Sequence, residues 1–75
     1  MAKKARSKDS VYRITELVGT SANSWEEATA NAVKTAASTL RELRIAEVTK
    51  LDVVIEDGRV TAYRARVSLS FKYEK

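Results

Sequence analysis

The sequence predicts an α+β subunit in the order β-α-β-β, with a three-stranded antiparallel sheet partly wrapping one helix. Three observations carry the prediction. An alanine-rich apolar stripe at helical spacing runs between Ser24 and Leu43. Asp57-Gly58, a strong hairpin signal, separates two strand-like runs. The second of those runs alternates apolar and polar residues from Tyr63 to Tyr73 without a break.

The first strand is expected over Val11–Val18, where β-branched and aromatic residues dominate. Tyr12, Ile14 and Val18 share one face, with Glu16 as the exception, and Gly19 is expected to end the strand. The helix is expected over Ser24–Leu43. Ser24 and Glu27 fit a capping box: the Ser24 hydroxyl accepts from the Glu27 N–H, and the Glu27 carboxylate reaches back to the cap. Glu26 and Glu27 suit the positive end of the helix dipole, and Arg41 and Arg44 the negative end. The buried stripe is Trp25, Ala28, Ala32, Val33, Ala36, Leu40 and Leu43, and its small residues let the helix lie close against a sheet.

The second strand is expected over Arg44–Glu56. Ala46 and Val48 mark one face, then Leu51, Val53 and Ile55 the opposite phase, so a bulge near Thr49-Lys50 is expected. The third strand is expected over Val60–Tyr73, about 45 Å long at strand spacing. One helix covers only part of such a sheet. Leu69, Phe71 and Tyr73 are therefore expected to project past it, and a bare apolar edge of this kind invites pairing with other chains.

Composition points the same way. With 75 residues the chain is near the lower limit for an independent core, and it has neither cysteine nor histidine to staple it with disulfides or the usual metal ligands. Self-association is the staple that remains. Residues 1–10 are expected to form a basic tail, which carries +3 of the net charge of +4, and residues 11–75 a nearly neutral domain. The tail offers a nucleic-acid contact, but a neutral domain argues against a dedicated nucleic-acid binder. No apolar run approaches the roughly 20 residues of a membrane span, and no apolar stretch follows the basic N-terminus as in a secretory signal. The expected location is the cytoplasm.

No catalytic constellation is visible, so the chain is read as a non-enzyme. Without His or Cys the commonest general base and a common nucleophile are missing, and two glycines are too few for a phosphate-binding glycine loop. Asp52, Glu56 and Asp57 cluster near a turn, but their spacing matches no calcium loop, and a solvated strand end explains them better. Trp25 is read as a core anchor rather than a stacking platform. Arg64 and Arg66 are read as a solvated face, or one that forms salt bridges between subunits, rather than an anion clamp.

The run from Val11 to Ser21, ending Gly19-Thr20-Ser21, resembles the opening strand and loop of the dodecins. Ser24-Trp25-Glu26-Glu27-Ala28 resembles the helix start of a bacterial dodecin subgroup. Leu43–Val48 resembles the second strand, and Tyr63–Val67 with Leu69–Lys72 the third. The resemblance covers residues 11–74 in order. It implies a hollow homododecamer of tetrahedral symmetry that stores a flavin (riboflavin, FMN or FAD) pairwise at subunit interfaces. In flavin-binding dodecins a strand-two tryptophan and a strand-three glutamine sandwich the ring, and a strand-two carboxylate helps to hold it. Those positions correspond here to Ile45, Arg64 and Val54. Ile45 offers a small branched surface where the family has a broad flat one. Some dodecins without this tryptophan are calcium-associated, and the chain is similar to that subgroup. The resemblance thus also implies, as the alternative, a shell that binds no flavin and is associated with a divalent metal such as calcium.

Overall fold

The computed structural model describes residues 11–72. Four elements follow in order: β1 (Tyr12–Ser21), α1 (Trp25–Ala37), β2 (Leu43–Glu56) and β3 (Arg59–Lys72). The sheet is antiparallel, with β3 between β1 and β2. The α+β class and the β-α-β-β order are as the sequence predicts. The expected tail, residues 1–10, and Tyr73 lie outside the described residues.

β1 runs through Gly19 to Ser21, three residues past its expected end. The glycine serves close packing rather than termination. Gly19 lies on the helix side of the sheet, and a Cβ there would overlap the carbonyl oxygen of Ala28 and sit 3.0 Å from the Ala32 Cβ. The helix thus rests almost directly on the backbone of β1. Against the β3 partners of each strand, Leu17 and Gly19 face the helix, while Tyr12, Ile14 and Val18 face away from it. The apolar face legible in β1 is therefore the one α1 leaves bare.

The helix is shorter than its apolar stripe suggests. It ends at Ala37, and Leu40 continues the stripe only through a turn, its N–H donating to the Ala36 carbonyl at 2.8 Å. Leu43 already belongs to β2. Lys34 is the basic residue of the last turn, and Arg41 and Arg44 lie beyond the helix. Half of the expected capping box forms. The Glu27 N–H donates to the Ser24 hydroxyl at 3.0 Å, but the Glu27 carboxylate accepts from the Ser21 hydroxyl at 2.9 Å and the Asn23 amide at 2.7 Å. The Ser24 N–H turns instead to the Ser21 hydroxyl at 3.3 Å. These donors, Asn23 foremost, hold the Glu27 carboxyl below the usual carboxylate range.

The core is thin. Ala28, Ala32 and Ala36 meet Ala65, Val67 and Leu69, with Leu17, Val33, Leu40 and Leu43 packed around them. Thirteen residues make α1 about 20 Å long, whereas fourteen-residue strands span roughly 46 Å. The expected overhang exists, but at the other end of the sheet. Leu69 is buried in the core beneath α1, and Phe71 is buried where the α1–β2 connection lies beside it, with the Lys72 N–H donating to the Glu42 carbonyl at 3.0 Å. The Arg13 guanidinium covers the Phe71 ring at 5.6 Å from its centroid. What projects is the hairpin end. β1 pairs with β3 only from Tyr63 onward, so the strands continue past it as a two-stranded arm. Asp57 and Gly58 close the arm with φ of 52° and 73°, the left-handed pair that a two-residue hairpin needs.

β2 carries three register shifts, one of them between Val48 and Lys50 at the expected bulge. The unpaired Thr49 donates its hydroxyl to the Arg66 carbonyl at 3.2 Å. The shift keeps Ala46, Val48, Leu51 and Val53 all on the helix side. A second shift between Val54 and Ile55, not expected, moves Ile55 opposite Val60 and onto the outer face.

Candidate functional site

α1 lies over β1 and β3 and touches β2 at few points. The helix-side face of β2 is thereby left open, and Trp25 stands at its border. It is not the core anchor expected from its place on the stripe: it remains 38% exposed. Its indole N–H donates to the Asp52 carbonyl at 3.0 Å, and its ring meets Tyr63 edge-on, with centroids 5.1 Å apart. Between Trp25, Glu26, Thr29, Val48 and Leu51 lies an open hollow of about 340 Å³.

Asp52 links this hollow to the opposite face of the sheet. Its carbonyl is held by Trp25, while its carboxylate points to the outer face, opposite Arg64. The Arg64 Nε donates to Oδ1 at 2.7 Å and Nη2 to Oδ2 at 2.8 Å, a bidentate pair. Arg64 holds the Asp52 carboxyl below the usual carboxylate range, and Asp52 in turn raises the Arg64 guanidinium. Both groups are substantially exposed to water, so the pair fixes geometry more than it stabilises the fold. Arg64 is therefore tied within its own chain. A second such pair, Arg44 with Glu42, braces the start of β2, where Glu42 adopts a left-handed φ of 59°.

Ile45, Val54 and Arg64 all lie on the outer face by register: Ile45 opposite Ser70, Val54 opposite Ala62 and Arg64 opposite Asp52. Val54 and Arg64 are neighbours at the base of the arm. Ile45 is six residues away along β3, roughly 20 Å at strand spacing, and is 54% exposed. One chain thus brings two of the three positions together and leaves the third apart. Asp52, Glu56 and Asp57 do not converge either: among the described residues, no three carboxylates form a group able to hold a metal. Sequence reasoning did not find the Asp52–Arg64 pair or the Trp25–Asp52 bond.

A subunit of this kind is a thin, one-helix half-core whose outer face is mixed, with Ile14, Val18 and Ile45 exposed among polar residues, and whose hairpin arm projects past the rest of the sheet. The class it defines is that of small α+β subunits with one helix on a three-stranded antiparallel sheet. The sequence matches the dodecin family over residues 11–74, and the chain belongs to that family. It is 36% identical over 63 residues to the calcium dodecin of Mycobacterium tuberculosis, an alignment spanning 84% of this chain and 89% of that protein. The dodecin from Streptomyces coelicolor superposes with a TM-score of 0.84 at 42% identity, covering 89% of this chain and 96% of that one. The crystal structure of the M. tuberculosis calcium dodecin, described as calcium chelating with a novel calcium-binding site, gives a TM-score of 0.78 at 35% identity, covering 87% and 93% of the two chains.

Proposed function

We propose that the chain is the subunit of a non-enzymatic, cytoplasmic homododecameric shell that binds and stores a small ligand at its subunit interfaces, with flavin as the ligand class. One observation carries this reading. The three positions that the dodecin resemblance assigns to the ligand share one face but are split, with Val54 and Arg64 together and Ile45 roughly 20 Å away. Only a second copy can bring an Ile45 to a Val54–Arg64 pair. Storage then consists of burial between copies, and no bond is made or broken. Titration of riboflavin, FMN or FAD into the purified chain tests this: flavin fluorescence should be quenched with micromolar ligand. Unquenched fluorescence at that concentration rejects flavin as the stored ligand.

A second reading is favoured by the Asp52–Arg64 pair and by Ile45. A tied guanidinium and a small branched side chain make a poor ring sandwich. In this reading the shell takes a divalent cation such as calcium, on carboxylates pooled from several copies, and no flavin. Here a chelator lowers the melting temperature of the assembled particle and added calcium restores it; a melting temperature indifferent to both rejects the cation.

A further inference from the structure

Among the described residues, nothing covers the hairpin arm. Beyond Tyr63 it consists of the pairs Val54–Ala62, Ile55–Val60 and Glu56–Arg59, and its four β3 residues carry it roughly 13 Å past the last β1 pair. A two-stranded hairpin by itself is marginal in water. Yet Ile55 and Val60, direct cross-strand partners on its outer face, are 63% and 51% exposed.

The Trp25 hollow is the matching feature. Its apolar floor is Val48 and Leu51, both about half exposed, and its wall is the indole. The Trp25–Asp52 and Trp25–Tyr63 contacts hold that wall in place, so the hollow is already formed in the single chain. The chain's own Ile55 and Val60 lie on the opposite face of the sheet and cannot fill it. Charge agrees with the fit: Glu26 stands on the rim and Arg59 on the arm, and the ion pairs among the described residues engage neither.

We infer that the arm of one copy seats in the Trp25 hollow of the next, with Ile55 and Val60 on Val48 and Leu51 and with Arg59 beside Glu26. This rests on the shell proposed above and specifies one of its contacts. Arm and hollow are different surfaces, so the contact is heterologous. Such contacts either close into rings or run on as filaments. A three-membered ring is the closed form compatible with a tetrahedral shell.

The chain has no cysteine, so a disulfide can be placed without background. In Leu51→Cys/Val60→Cys the two sites lie on opposite faces and five residues apart in register, roughly 16 Å, too far to join within one chain. Oxidation of the full-length double variant should give a covalent trimer as the limiting species on a non-reducing gel, and neither single variant should give one. A large particle in sedimentation that forms no such trimer overturns the inference and leaves the shell standing. A wild-type chain that sediments as a monomer overturns both. Charge reversal gives a second test that leaves the apolar contacts intact. Glu26→Arg should raise the concentration for half-assembly roughly tenfold, and Glu26→Arg/Arg59→Glu should restore it. A double reversal that fails to recover assembly, with unchanged circular dichroism, contradicts the contact.

Discussion

Arg64 grips Asp52 across neighbouring strands with two charge-assisted hydrogen bonds, at 2.7 and 2.8 Å, while the Asp52 carbonyl is held from the other face by Trp25. Because Arg64 depresses the Asp52 carboxyl in the folded chain, folding is favoured above the ordinary carboxylate range and that contribution fades as pH falls through the folded-state value. The acid limb of melting temperature against pH, below about pH 4, should therefore be steeper for the wild type than for Asp52→Asn. Glu27 and Glu42 are depressed in the same direction but are present in both proteins, so the difference isolates Asp52. Superimposable acid limbs contradict the pair.

Gly19→Ala should destabilise strongly, because the added methyl meets the backbone of α1 at Ala28 rather than a side chain that can swing aside. The cost should be about 2 kcal/mol or more by the scale of overpacked cores. Urea melts of the two proteins measure it; a change within error shows that the helix can shift off β1.

Phe71 and Ile45 are apolar residues with opposite surroundings. Phe71 is buried beside the α1–β2 connection, whereas Ile45 is on the bare outer face. Phe71→Asp should lose at least the roughly 3–5 kcal/mol of a Phe truncation and fail to fold. Ile45→Asp should keep its far-ultraviolet circular dichroism. A folded Phe71→Asp chain contradicts the packing described.

Flavin binding, if limited by the side chain at position 45, should respond to it. Ile45→Trp combined with Arg64→Gln supplies a flat face and frees the neighbouring strand position. Riboflavin affinity, read by fluorescence quenching, should rise about tenfold or more on the scale of aromatic stacking. No gain indicates that these positions do not meet across the interface.

Much of the fold was legible because several signals agreed. The Ser24 cap, the Ala28–Ala32–Ala36 stripe and the Asp57-Gly58 turn each act locally, and each holds in the structure. The misreadings came from non-local effects. Tyr12, Ile14 and Val18 read as one apolar face, but which face meets the helix is set by the close approach at Gly19, which places α1 on the other side. Phe71 read as an overhang because the α1–β2 connection that lies beside it has no periodicity of its own. The site depended on a one-residue slip. Counted from a two-residue turn, Asp52 falls opposite Tyr63 on the helix side; the shift between Val54 and Ile55 puts it opposite Arg64 on the outer face instead. No residue type in that stretch announces the slip.

The account depends on copies of the chain covering what one helix cannot. Sedimentation of the full-length protein at low micromolar concentration tests this directly. Twelve copies of an 8.4 kDa chain predict a single particle of about 100 kDa. A compact, folded species at the mass of one chain contradicts the account.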